Sequence, residues 1–196
     1  MKTFFGEFTR AVIAVSLLAL LLCVIYPLAT WGVGQLLFPV KANGSLLKNG
    51  QQTLGSVLIA QHFASPAYFH PRPSAVEYAG QKAGSGGFNQ GPLSRGLIER
   101  LELAARRYRA ENDLAPGTQI PSEAVTASAS GLDPHISPAD AASQAGRVAK
   151  ARGWSTEHVL GLIRQVRERR QLGIFGEERV NVLRLNLALD NSGKVL

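Results

Sequence analysis

From Ala11 to Val40 the chain carries no charged residue, and the first half of that stretch is dense in Leu, Val, Ile and Ala. A helix of about 20 predominantly apolar residues crosses a hydrocarbon core of about 30 Å. A Lys or Asp at the centre of such a span would cost roughly 2.5–3.5 kcal/mol. A cleaved signal peptide has an apolar region of only about 7–15 residues and ends at a small-x-small site. The run here is longer and no Ala-x-Ala pattern follows it. It therefore reads as an uncleaved anchor. Pro27, Gly32 and Gly34 interrupt its second half, and Tyr26 and Trp31 are residue types that settle at the headgroup level. The expected division is a flank at 1–10, a transmembrane helix at 11–33, a juxtamembrane linker at 34–50 and a soluble domain at 51–196. Within the linker, Gln35 to Pro39 is expected to leave along the bilayer surface.

Charge sets the orientation only through a small bias. Lys2, Arg10 and the α-amino group stand against Glu7 on one flank, with Lys41 and Lys48 on the other. The positive-inside rule then places the N-terminus in the cytoplasm and the soluble domain outside. The net charge of +7 would suit nucleic acid or anionic lipid. Arginines that simply solvate helix faces account for the same charge and are the preferred reading; the anchor argues against nucleic acid and makes membrane lipid a partner. Cys23, the single cysteine, lies inside the span, so the soluble domain has neither a disulfide nor a cysteine-based metal site.

Beyond the span about 155 residues remain, enough for one domain with its own core. Asn43-Gly44-Ser45 and Asn49-Gly50 predict turns, and Ser56 to Ala60 predicts a strand. Leu97, Ile98, Leu101, Ala105 and Tyr108 recur at helical spacing, predicting a helix over Ser94 to Glu111 with that face inward. Ser137-Pro138 reads as an N-cap with proline at the first helical position, and Gly153 as the stop. Between them Ala141, Ala142, Ala145, Val148 and Ala149 form a small-residue face. Thr156 is the expected cap of a further helix that buries Val159, Leu162, Ile163 and Val166. The run Val180 to Asp190 fits a strand by the alternation of Leu183, Leu185, Leu187 and Leu189. It fits a helix capped by Asn181 equally well. The fold class is α+β: one transmembrane helix, then one mixed soluble domain.

The run Gly131-Leu132-Asp133-Pro134-His135-Ile136-Ser137-Pro138 resembles a hallmark of the C subunit of Kdp-type potassium-transporting ATPases. Other segments agree in order. They include Gln35-Leu36-Leu37-Phe38-Pro39, Tyr68-Phe69-His70, Arg72-Pro73-Ser74-Ala75, Arg179-Val180-Asn181-Val182-Leu183 and Leu185-Asn186-Leu187-Ala188-Leu189-Asp190. The loop at 85–94 departs from the pattern. Phe88 stands where the family usually has Ser, Gln90 where it has Leu, and Leu93-Ser94 where it has Thr-Asn. The resemblance implies a non-catalytic subunit of a bacterial inner-membrane complex that imports potassium at the expense of ATP. Its partners would be a channel-like subunit and a P-type pump subunit. Its role would be to assist assembly and raise the pump's affinity for ATP. No tightly bound cofactor is implied; ATP and potassium belong to the complex.

The resemblance also marks Gln144 as a nucleotide contact, with Arg147 three residues on. By periodicity Asp140, Gln144 and Arg147 share one stripe opposite the alanine face, expected to be exposed. An amide and a guanidinium there could hydrogen-bond a purine edge or a phosphate, and a solvated polar face would look the same. Asp133, His135 and Ser137 precede a helix start, as an anion site or as a turn that aims the chain into the helix. His62 and His70 lack metal-ligand spacing. No Gly-Lys-Ser/Thr phosphate loop, Asp-Lys-Thr-Gly phosphorylation site or Gly-x-Ser-x-Gly elbow is present, so the chain is not expected to hydrolyse ATP by itself. The rival reading is a membrane-anchored enzyme of unknown substrate, with Asp133 and His135 as acid and base.

Overall fold

The computed structural model describes residues 2–76 and 84–193, which fall into two compact units, 1–54 and 55–196. The N-terminal unit is dominated by a helix. α1 (Lys2–Leu20) passes through a π-turn at Leu21–Ile25 into α2 (Tyr26–Leu37). Pro27 gives the reason for the π-turn: its ring cannot sit over the carbonyl four residues back, and it supplies no N–H. The chain answers by widening the preceding turn, so that the Tyr26 N–H reaches the Leu21 carbonyl. The result is one apolar helix of 35 residues, Thr3–Leu37, long enough to cross a membrane. It runs through Gly32 and Gly34, so Gln35 to Leu37 continue the helix rather than leave it. Leu17, Leu22, Leu28 and Trp31 are each more than half exposed. From Ala11 to Leu37 the helix carries no charge on any side and none of its residues is buried, which suits hydrocarbon.

Short α3 (Pro39–Ala42) follows, and the Asn43 amide ties it back, donating to Gln35 Oε1 at 3.0 Å and to the Pro39 carbonyl at 2.7 Å. β1 (Leu46–Asn49) and β2 (Gln52–Ser56) then pair through a turn at Gly50, where φ is +60°. The strand expected at 56–60 is therefore displaced: it ends at Ser56. Val57 to Ala60 form a loop held by Asn181 Nδ2 on the Val57 carbonyl and by the Ala60 N–H on the Leu132 carbonyl. Leu58 and Ile59 stay about half exposed, so apolar content alone misplaced the strand.

The second unit is built on α5 (Pro138–Arg152) and α6 (Thr156–Val166), with α7 (Val182–Ser192) beside them. Ser137 caps α5 by accepting the Asp140 N–H, and Gly153, at φ +68°, closes it in the left-handed region. Such a cap typically contributes about 1 kcal/mol. α6 is capped by Ser155, not by Thr156, which is its first helical residue. Ala141, Ala145, Val148 and Ala149 form a shallow buried face that lets α6 approach with Val159, Leu162 and Ile163; Ala142 turns out to be exposed. The ambiguous C-terminal run is both things in turn. β4 (Val180–Asn181) pairs antiparallel with β3 (His135–Ile136), then Asn181 caps α7 by accepting the Arg184 N–H. Leu185 and Leu189 are fully buried.

α4 (Arg95–Glu111) forms as expected but buries little of its apolar side. Tyr108 is its one buried side chain, and Ile98 is half exposed. Gly131 explains how the 84–87 and 128–131 loops meet: its φ is +70°, and a Cβ there would lie 2.8 Å from the Gly86 carbonyl oxygen. Both facts exclude a side chain.

Through the centre of this unit runs a segment without regular structure, Pro66 to His70, carrying the fully buried Phe69. Among the described residues no strand pairs with it. Asn186 on α7 does the work of a partner strand: its Oδ1 accepts the Phe69 N–H at 2.9 Å, and its Nδ2 donates to the Phe69 carbonyl at 3.0 Å. Replacing Asn186 with Leu would strand both groups, at about 1–3 kcal/mol each. The Asn186→Leu variant is expected to lose roughly 2–4 kcal/mol in denaturant unfolding; a loss below about 0.5 kcal/mol would show the pairing to be dispensable.

Candidate functional site

Asp140, Gln144 and Arg147 do share one stripe of α5, but the stripe is inside the domain. They are 1%, 2% and 8% exposed, so the expectation of a solvated face fails. The cause is the 66–70 segment, which lies along that stripe and whose backbone groups need partners away from water. Gln144 takes both groups of His70: Oε1 accepts its N–H at 2.8 Å, and Nε2 donates to its carbonyl at 3.1 Å. Arg147 Nη1 donates to the carbonyls of Pro66 at 2.7 Å and Tyr68 at 2.9 Å. Arg152 Nε reaches the Ala67 carbonyl at 2.7 Å.

The same side chains bind one another. Gln144 Oε1 also accepts from Arg147 Nη2 at 2.9 Å, and Nε2 also donates to Asp140 Oδ1 at 3.0 Å. A primary amide has two N–H groups and two lone pairs, and all four are engaged here. Arg147 Nε donates to Asn112 Oδ1 at 3.0 Å, and the Tyr108 hydroxyl donates to Asp140 Oδ1. Through Tyr108 and Asn112 the network also fastens the C-terminal end of α4. Sequence reasoning missed Tyr108, Asn112, Arg152 and Asn186 as members. The one signal for Asn186 was an amide set among the leucines of the final helix.

A cleft of about 780 Å³ opens above this floor, lined in part by His62, His70, Arg100, Arg107 and Tyr108. Its volume falls within the usual small-molecule range of about 300–1,000 Å³. Phe88, one of the departures from the family pattern, lies against the Arg100 guanidinium at 3.7 Å. A nucleotide entering the cleft would meet cations at its wall, but the Gln144 amide beneath is fully engaged with the chain.

Asp133, His135 and Ser137 sit elsewhere, around a smaller hollow of about 370 Å³. Asp133 Oδ1 accepts the His135 N–H at 3.0 Å, the turn of an Asp onto the amide two residues on. Its Oδ2 takes Arg72 Nη1 at 3.0 Å. The Ser137 hydroxyl is committed to the Asp140 N–H, and the Ser137 N–H donates to Glu123 Oε1. An internal carboxylate thus already stands at the start of α5. His135 lies 3.6 Å from Asp133 and 3.9 Å from Glu168. The two groups of sequence candidates form two separate places. Among the described residues no three His, Cys, Asp or Glu side chains gather to hold a metal.

Electrostatics separates the two aspartates. Burial pushes the Asp140 carboxyl up from 3.8, against the hydrogen bonds from Tyr108 and Gln144. The His135 imidazole beside it pulls Asp133 down from 3.8, helped by the His135 backbone N–H and Arg72. Burial lowers Arg147 and raises Tyr108, and burial together with the Arg147 charge lowers His70. A raised carboxyl contributes stability that is complete below its ordinary pKa and is lost as pH rises through the folded value. A lowered one contributes stability present above the ordinary value and lost as pH falls through the folded value. Relative to Asp140→Asn, the wild type is therefore expected to gain stability as pH falls towards 3.8. Relative to Asp133→Asn it is expected to lose its advantage as pH falls below 3.8. Denaturant midpoints of the three proteins across acid pH check both signs; parallel curves would contradict them.

Comparison with known proteins gives one consistent answer. The family model described as "K+-transporting ATPase, c chain" matches residues 8–191. A potassium-transporting ATPase KdpC subunit of Rhodospirillum rubrum is 49% identical over 182 residues, covering 92% of this chain and 93% of the relative. One of Myxococcus xanthus is 50% identical over 190 residues, covering 96% and 88%. One of Mycobacterium tuberculosis is 48% identical over 167 residues, covering 85% and 88%. With the match spanning the apolar helix, the buried network and the final capped helix alike, the chain belongs to the K+-transporting ATPase c-chain family.

Proposed function

We propose that the chain is a non-catalytic, membrane-anchored accessory subunit of an ATP-driven potassium import complex. In this reading the 35-residue helix packs in the bilayer beside a channel-like subunit and a P-type pump subunit. The second unit stands outside the cytoplasm, stabilises the assembly and raises the pump's affinity for ATP indirectly. Potassium and ATP are ligands of the complex.

One observation carries the indirect form of the mechanism: all four hydrogen-bonding positions of Gln144 are already filled within the chain. To bind a purine edge, Gln144 would have to release the His70 backbone, Arg147 or Asp140, each buried or nearly so. Releasing a buried polar group costs about 1–3 kcal/mol. The proposed topology points the same way, since a span separates an outside domain from cytoplasmic ATP by about 30 Å. An effect across that distance works by shifting an equilibrium in the partner subunits, through contacts that favour one of their states. Gln144 and Arg147 are then positioning residues that hold the 66–70 segment in the shape the partners meet.

The complex carrying Gln144→Met, close in size but without the amide, separates the readings. The positioning role predicts less assembled complex and a lower melting temperature, with the KM for ATP of the assembled fraction within about twofold of wild type. Normal assembly with a KM raised about tenfold, equivalent to about 1.4 kcal/mol, would mean that Gln144 touches the nucleotide.

A further inference from the structure

The backbone that Gln144 and Arg147 hold ends at a titratable ring, His70. Its Nε2 lies 3.1 Å from the Ser65 carbonyl oxygen. A carbonyl only accepts, so Nε2 carries the hydrogen, and the neutral ring keeps its lone pair at Nδ1. This bond closes 65–70 into a loop, together with the Tyr68 N–H on the same carbonyl at 3.1 Å. Ser65 is exposed, and the ring is partly buried in the wall of the large cleft, so protons from solvent reach it. Among the described residues nothing accepts at Nδ1, and a proton added there gains no protein partner.

The surrounding charges decide what such a proton would do. Gln144 Oε1 accepts the His70 N–H at 2.8 Å and Arg147 Nη2 at 2.9 Å, so one oxygen stands between the guanidinium and His70. Arg147 Nη1 also holds the Tyr68 carbonyl, two residues back. From α4, Arg100 and Arg107 line the same cleft as the ring, with Tyr108 and Glu111. His62 and Arg72 line it from the chain on either side of His70. Asp140 lies in its floor, where it accepts from Tyr108 and Gln144. Burial and the Arg147 charge, with His62, lower the imidazole from its ordinary 6.5, outweighing the Ser65 carbonyl and Glu111, which favour the charged ring. An imidazole lowered in this way sheds its proton on folding. Its contribution to stability is complete above 6.5 and is lost as pH falls through the folded value.

We propose that His70 is a proton-operated latch on the 65–70 segment: the neutral ring lets the segment lie closed on Gln144 and Arg147, and the protonated ring, repelled by Arg147, opens it. The opening is local, because α6 packs on α5 through apolar side chains whose charge does not change. The latch is a property of the chain alone. Its consequence for the complex rests on the accessory reading: acid on the domain's side of the membrane loosens the surface the partners meet and lowers the assembled fraction.

The test uses the full chain in detergent micelles without partner subunits, so its outcome is independent of that reading. Hydrogen–deuterium exchange is followed at 67–70 and in α6 from about pH 8 to about pH 5, the range in which imidazoles change charge. Each rate is divided by that of an unstructured peptide at the same pH. Protection at 67–70 is expected to fall about fivefold across the range, while that of α6 changes less than about twofold. The amide nitrogen of a His70→Gln variant can still donate to the Ser65 carbonyl but takes up no proton. In that variant protection at 67–70 is expected to stay within about twofold. Constant protection at 67–70 in the wild type would overturn the proposal, even if the variant failed to fold. So would an equal fall at 67–70 and in α6, or an equal fall in wild type and variant.

Discussion

The backbone of residues 66–70, buried at Phe69 and partly buried beside it, is what the rest of the soluble unit is arranged around. Phe69 fills the core, so the peptide groups on either side are drawn away from water with it, and among the described residues no neighbouring strand serves them. Each unserved group would cost about 1–3 kcal/mol, enough together to remove most of the 5–15 kcal/mol by which a domain is usually stable. The chain supplies four side chains instead: Gln144, Arg147 and Arg152 from α5, and Asn186 from α7. That requirement places polar residues on an inward face of α5 and brings α7 against the segment. Through Arg147–Asn112 and Asp140–Tyr108 it also anchors α4 by one end.

This arrangement explains what could be read from the amino-acid order. Signals that act within a few residues were legible: the Ser137-Pro138 start and Gly153 stop of α5, the buried trio of α6, the helical extent of α4 and the apolar anchor. Periodicity also put Asp140, Gln144 and Arg147 on one stripe. It assigned that stripe to solvent because a polar face usually is solvated, and the partner that buries it is an aperiodic segment 74 residues from Gln144 in sequence. The same limit hid the strand boundary at Ser56, since the contacts that turn 57–60 into a loop come from Leu132 and Asn181. At 180–190 both patterns were real. Two residues pair with β3, and the remainder turns helical at an asparagine cap.

The two units meet different solvents. The helix is apolar all round, and its π-turn accommodates Pro27 by widening the backbone instead of breaking it. The domain is basic and carries its internal polar network as scaffold. Family membership joins them in one subunit, and under the proposed function the full engagement of Gln144 favours an effect on ATP exerted through the partners rather than by touching the nucleotide. In that account the domain has no need to share a compartment with ATP.

The side of the membrane on which the domain stands tests this most directly. Ser85 is exposed in the 84–87 loop, and a single cysteine there, in a Cys23→Ser background, reports its side to an impermeant thiol reagent. The account predicts labelling in intact cells. Labelling only after permeabilisation would place the domain with cytoplasmic ATP and contradict the indirect mechanism.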